Sequence, residues 1–164
     1  MIHHISIAAK NPERVARVIA SLWQTQALPF PPFPGSYIVI NNDGHGTAIE
    51  VTPLGLELMP GEDDQEVQPH ENHVPSPYTA THAAISVPVS EAEIRRIAER
   101  EGWRVGVFDR GGAFQLIEFW VENRLMLELL PPEMAQRYLD FATLENFAEL
   151  FQVEFLQPQE QLAA

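Results

Sequence analysis

One histidine–glutamate pair recurs in this chain at a fixed spacing, and that repeat limits the possible folds more than any other feature. His4 opens Ile5-Ser6-Ile7-Ala8-Ala9, and His82 opens Ala83-Ala84-Ile85-Ser86-Val87. Each is followed by a stretch of helical periodicity and then by a strand-like run with a glutamate. Those runs are Ala48-Ile49-Glu50-Val51-Thr52-Pro53 and Met126-Leu127-Glu128-Leu129-Leu130-Pro131. Histidine and glutamate lie 46 residues apart in both halves (4 to 50, 82 to 128), and the halves are offset by 78 (4 to 82). The same offset aligns Ile7 with Ile85, Glu13 with Glu91, Arg17 with Arg95, Ile19 with Ile97, Ala20 with Ala98 and Pro53 with Pro131. A register held through strand, helix and strand is the mark of an internal duplication.

The order of elements follows from local pattern. Residues 2–9 alternate as a strand does, with His4, Ser6 and Ala8 on one face. Asn11 can cap the following helix, with Pro12 in its first turn and Glu13 near the positive end of its dipole. Val15, Val18, Ile19, Leu22 and Trp23 recur at helical spacing and predict an amphipathic helix over 12–25. Four prolines among residues 28–34 allow only a weak edge strand there. Residues 36–42 and 47–53 read as strands joined by the turn Asp43-Gly44-His45-Gly46. Residues 54–78, acidic and proline-containing, read as an irregular and mobile linker. The pattern then restarts. A strand is expected over 80–88, and a helix over 91–101 with Ser90 and Glu93 as a capping box and Gly102 at its end. Three strands follow, at 103–109, 113–122 and 124–131. Two further helices are expected at 132–142 and 144–152, packed outside the sheet or in a dimer contact, with a poorly ordered tail from 156.

The expected fold is therefore α+β, with two βαβββ modules forming a cupped mixed sheet and a C-terminal helical extension. The boundaries are 1–53 for the first module, 54–78 for the linker, 79–131 for the second module and 132–164 for the extension. The chain has 164 residues, 45% of them hydrophobic, enough to build a real core. It has no cysteine, so any metal must be held by His, Asp or Glu. A net charge of −13 argues against a nucleic-acid partner and against anionic membrane surfaces. Met1-Ile2-His3-His4 lacks the basic and apolar regions of a signal peptide, so the expected location is cytoplasmic.

Side chains alternate across a strand. His4 and Glu50 stand opposite the apolar Ile5, Ile7, Ile49 and Val51, and Glu128 stands opposite Leu127 and Leu129. His4, Glu50, His82 and Glu128 are therefore expected on the face turned away from the helices. Two imidazoles and two carboxylates form a donor set for a divalent cation.

A strand opening on His, a helix, and a later strand ending Glu-hydrophobic-x-Pro, all duplicated over residues 2–131, resembles the vicinal oxygen chelate superfamily. That group includes glyoxalase I, bleomycin-resistance proteins, methylmalonyl-CoA epimerase and extradiol dioxygenases. The resemblance implies paired modules around a divalent metal ion (Ni, Zn, Mn or Fe) and His4, Glu50, His82 and Glu128 as its ligands. It implies a lyase, isomerase or epimerase acting on a small vicinal-oxygen substrate through an enediolate, with Glu50 or Glu128 as the base. The competing readings are a metal-free sequestering protein of the bleomycin-resistance type and an extradiol-type dioxygenase. A homodimer is expected. Glyoxalase I carries an arginine four residues after the first histidine, where this chain has Ala8. Its Asp-Pro-x-Gly-Asn turn is replaced by Val121-Glu122-Asn123-Arg124. These departures point away from glutathione.

Other polar residues have simpler expected roles. His3 points to the opposite face from His4, His45 lies in a turn, and His70 and His73 sit in the acidic loop. Arg14, Arg17, Arg95, Arg96 and Arg100 read as solvent-facing. Arg104, Arg110 and Arg124 lie nearer the sheet, where one could meet an anionic substrate. Trp120, Phe114 and Tyr37 are candidate pocket walls, and Glu118 shares a face with Trp120.

Overall fold

A computed structural model describes residues 2–154, so the tail expected from 156 lies outside the described residues. The chain runs β1 (His4–Ala9), α1 (Pro12–Trp23), β2 (Ala27–Pro29), β3 (Tyr37–Ile40) and β4 (Ala48–Pro53). It continues through β5 (Leu56–Met59) and β6 (Gln68–Glu71) to β7 (Ala83–Ser86), α2 (Glu91–Glu101), β8 (Val105–Arg110), β9 (Phe114–Val121) and β10 (Leu125–Leu130). Two helices close it, α3 (Pro132–Phe141) and α4 (Leu144–Phe151).

The duplication is visible in the hydrogen-bond ladders. One sheet has the order β1-β4-β3-β2 and the other β7-β10-β9-β8. In both, the first strand pairs parallel with the last. Ser6 lies opposite Glu50 and Ala84 opposite Glu128, the same register 78 residues apart. The helices repeat as well. Arg17 bonds Glu13 at 2.7 Å in α1 and Arg95 bonds Glu91 at 2.7 Å in α2, equivalent i,i+4 pairs. Fold and topology are thus the expected mixed α+β arrangement of two βαβββ units.

Local chemistry accounts for the helix ends. The Asn11 side chain accepts the Arg14 amide at 3.0 Å, and Pro12 sits at the first position. The Ser90 hydroxyl accepts the Glu93 amide at 3.3 Å, and Gly102 ends α2 in the left-handed region at φ 74°. The Glu93 carboxylate pairs with Arg96 on the helix surface, so only one half of the expected capping box is formed.

The apolar face of α1 is buried as its spacing predicts, from Val15 through Val18, Ile19 and Leu22 to Trp23. It joins Ile7, Ile49, Val51, Ile94, Ile97, Ile117, Phe119, Leu127 and Leu129 in one core spanning both modules. At about 1.5–3 kcal/mol for each fully buried side chain of this kind, that core is the main source of stability. The modules are also locked by polar contacts. Arg14 Nε bonds Glu101 Oε2 at 2.6 Å, Trp23 Nε1 donates to the Ser86 carbonyl at 3.1 Å, and the Glu122 carboxylate accepts the amides of Lys10 and Asn11 at 2.7 and 2.8 Å. Arg14 and Arg100 face solvent, as expected, and both also bond Glu101.

Three expectations are corrected. Residues 54–78 are not wholly irregular, because β5 and β6 pair as an antiparallel hairpin, Leu56 opposite Glu71 and Met59 opposite Gln68. The short alternation of Leu56-Glu57-Leu58-Met59 is masked in the sequence by the acidic composition around it. His82 lies just before β7 rather than inside a strand. The C-terminal helices do not lie outside the sheet. Phe114, Leu116 and Leu130 share strand parity with Glu118 and Glu128, and they pack against Met134, Tyr138, Phe141 and Phe147. The extension therefore covers one end of the same face that carries the glutamates.

Candidate functional site

The polar face of the first sheet is built on the parallel pair β1–β4. Their register sets Ser6 beside Glu50, and the Ser6 hydroxyl donates to Glu50 Oε2 at 2.6 Å. The other oxygen, Oε1, lies 3.9 Å from His4 Nε2. The Glu50 side chain is only 13% exposed while that of His4 is 60% exposed, so the imidazole is open to an incoming group and the carboxylate is held in place. Nearby, the His3 ring nitrogen Nδ1 lies 2.7 Å from the His45 carbonyl oxygen, and the Asp43 carboxylate accepts the amides of His45 and Thr47. The hydroxyl of Thr47 and the backbone of His45 hold Asp43 well below the usual carboxylate range, at about 2. His3 and His45 thus pin the loop that precedes β4.

The equivalent position in the second module is furnished differently. Glu128 lies directly opposite Glu118 across β9–β10. Arg110 Nη2 donates to Glu128 Oε1 at 2.8 Å and to Glu118 Oε1 at 3.1 Å. The Glu128 hydrogen bond raises the Arg110 pKa above its ordinary value, against the opposing effect of burial, and Glu118 adds to the rise. Trp120 Nε1 reaches Glu118 Oε2 at 3.3 Å, and the Arg104 guanidinium lies 5.9 Å from the Trp120 ring centre. The His82 ring nitrogen Nδ1 is 2.9 Å from the Ala80 carbonyl oxygen.

The four proposed metal ligands thus stand in different settings. His4 and Glu50 are neighbours. His4 and His82 line one cavity of about 410 Å³, together with Trp23 and Tyr138, and Glu50 and Glu128 are not part of its wall. Glu128 is engaged by Arg110. Among the described residues, no three His, Asp or Glu side chains are grouped to hold a metal ion. In donor chemistry, His4 and Glu50 fit one side of a divalent-cation site. Glu128 fits only if it exchanges the guanidinium for the ion.

The remaining candidates have structural settings. His70 lies in β6, and His73 pairs with Glu71 at 3.6 Å on an exposed surface. The Tyr37 hydroxyl donates to Glu13 at 3.3 Å on the helix side, and Phe114 is buried beneath α3 and α4. Two residues of the polar faces carry no distinct chemical signal in the sequence. Ser6 is legible there only as a strand neighbour of His4, and Arg110 only as a cation near the sheet.

Comparison with solved structures gives the fold a class. A glyoxalase family protein from Bacillus anthracis matches with a TM-score of 0.51 and 14% identity, over 79% of this chain and 92% of that one. The fosfomycin resistance protein FosX from Listeria monocytogenes, complexed with Mn(II) and sulfate, matches with a TM-score of 0.52 and 14% identity, over 92% and 97%. A substituted form of that protein, complexed with Mn(II) and a dihydroxypropylphosphonic acid, matches with a TM-score of 0.51 and 13% identity, over 91% and 97%. The chain shares the fold of these proteins, with two paired βαβββ units. No family model and no curated protein matches its sequence. Among the described residues, no helix is long and apolar enough to cross a membrane.

Proposed function

We propose that the chain is a small-molecule enzyme of the metal-dependent glyoxalase type, a lyase, isomerase or epimerase acting on a substrate with vicinal oxygens. The observation that carries this reading is the His4–Glu50 pair, 3.9 Å apart on an open polar sheet face. His4, Glu50, His82 and Glu128 would hold the divalent ion, and Mn(II), carried by the Listeria structures, is the first to test. A bound ion would polarise substrate oxygens as a Lewis acid. The chain's own contribution is positional. Ser6 fixes one oxygen of Glu50, which orients the other toward His4 and leaves a desolvated carboxylate able to take a proton beside a carbonyl. The half-exposed polar faces support a homodimer in which a second copy closes the cup.

The test is metal content after incubation with manganese, zinc, nickel or iron. About one ion per chain is expected in the natural protein and much less in His4→Ala and Glu50→Gln. A protein that retains none of the four overturns the reading. The alternative is a metal-free protein that sequesters a ligand, and the Arg110–Glu128 bond favours it, since a fixed guanidinium stands where the cation would bind.

A further inference from the structure

We propose that a cavity beside Arg124 seats an oxyanion, a carboxylate, phosphate or phosphonate group, on the small molecule that the His4–Glu50 face receives. This rests on the reading of that face as a small-molecule site. The cavity, about 320 Å³, lies between the end of β1, the β5–β6 hairpin and the start of β10. Ser6 lines it, and the Ser6 hydroxyl bonds Glu50, so the cavity adjoins the candidate site directly.

Arg124 is 6% exposed, yet among the described residues no carboxylate lies within ion-pair distance of it. Its Nε donates to the Pro77 carbonyl at 3.1 Å and its Nη1 to the Ala8 carbonyl at 2.7 Å. These bonds fix the plane of the guanidinium but leave its charge without a counterion, a costly state for a buried cation. Nη2 makes no hydrogen bond among the described residues. It is not sealed off either, because the buried side-chain polar atom without a partner there is Ser36 Oγ. A guanidinium with a free amino edge on a cavity wall is matched to the two oxygens of a carboxylate or phosphoryl group.

The rest of the wall supplies hydroxyl donors. Thr79 Oγ1 accepts the Thr81 amide at 3.0 Å and keeps its own proton free, and the Thr81 hydroxyl has no partner among the described residues. Glu57 is the one acidic side chain on the wall. It is exposed and bonds Asn72 at 2.6 Å, so water screens its charge far more than that of Arg124. The turn that positions Arg124 is anchored by its neighbours. Glu122 holds the start of α1, and Asn123 bonds the Arg104 amide at 2.7 Å and the Gly102 carbonyl at 3.0 Å. In a chain of net charge −13, a buried cation without a carboxylate partner is a favourable place for an anion.

The probes are sodium acetate and inorganic phosphate, titrated at constant ionic strength and in the presence of a chelator. The readouts are calorimetry and the side-chain nitrogen NMR signal of Arg124. Saturable binding of either probe with a shift of that signal is expected, reduced at least tenfold in Arg124→Gln and several-fold in Thr79→Val. Arg124 also clamps two carbonyls, so its variant can fail to fold. The NMR shift in the unaltered protein and the Thr79→Val result then decide. An unmoved Arg124 signal, or binding unchanged in Thr79→Val, overturns the proposal. Binding that appears only when metal is added assigns the anion to the ion, which overturns this proposal and leaves the metal reading standing. Binding that persists with chelator and in Glu50→Gln, in a protein that retains no metal, does the reverse.

Discussion

Glu118 and Glu128 face each other across β9 and β10, and Arg110 Nη2 donates to both. Like charges directly opposite on a sheet repel, so Arg110 is what permits this pair at neutral pH. Arg110→Met should destabilise the protein by about 1 kcal/mol at pH 7, a low figure because the guanidinium is a third exposed and partly screened. The deficit should shrink in a Glu118→Gln background, because removing one carboxylate charge relieves the repulsion. Urea unfolding of Arg110→Met with and without Glu118→Gln at pH 7 checks this; an equal deficit in both backgrounds would mean that Arg110 acts by packing alone.

The turn between β9 and β10 makes a second test. Glu122 and Asn123, in the three-residue turn between Val121 and Leu125, both have positive φ, 51° and 56°, a region that favours glycine. Glycine would relax that backbone, but the Glu122 carboxylate accepts two amides from the other module. Charge-assisted bonds of this kind contribute about 1.5–3 kcal/mol in total. If they dominate, Glu122→Gly lowers stability despite the easier turn, and Glu122→Ala lowers it further. A more stable glycine variant in thermal unfolding would show that backbone strain is the larger effect.

Most of the architecture is legible in the sequence because the repeat carries its own internal check. His4 to Glu50 and His82 to Glu128 share one spacing, and helix caps at Asn11, Ser90 and Gly102 mark boundaries by local chemistry alone. The surroundings of the glutamates are not legible in the same way. Whether Arg110 meets Glu118 and Glu128 depends on the register of β8 against β9, which the Gly111-Gly112 turn sets and no side-chain pattern announces. The face chosen by α3 is hidden for a related reason. Phe114 and Leu116 make one end of β9 apolar on the face that is polar at Glu118, so a single strand changes partners along its length.

Acid sensitivity should arise at the contact between the helices. Burial raises the Glu101 pKa, but hydrogen bonds from Arg100 and Arg14 outweigh it and leave the group below its ordinary value. A depressed carboxylate pKa contributes stability that is present above the unfolded value, about 4.3, and is lost as pH falls through the lower folded value. Glu101→Gln should therefore be less stable at pH 7 and approach the unaltered protein as pH falls below the unfolded value. Asp43, held at about 2, follows the same sign, with its contribution persisting until pH nears 2. Denaturation midpoints of Glu101→Gln and Asp43→Ala between pH 7 and pH 2 check both, each gap closing as pH falls.

Arg110 and a divalent ion would compete for one carboxylate. If Glu128 ligates the ion, it must give up the Arg110 bond, and every binding event includes that exchange. Removing the guanidinium takes a positive charge from the cation's neighbourhood and frees the ligand in advance. Arg110→Met should then bind manganese more tightly, by about tenfold for each 1.4 kcal/mol that the Arg110–Glu128 bond contributes. The same substitution should do nothing in a Glu128→Gln background, because the competition has no object there. Manganese affinities of the four proteins, measured against a competing chelator, give the coupling directly. Tighter binding in Arg110→Met that vanishes with Glu128→Gln makes Glu128 a ligand held in reserve. An unchanged affinity removes it from the metal set and leaves Arg110, Glu118 and Glu128 as a fixed charged triad in the wall of a metal-free cup.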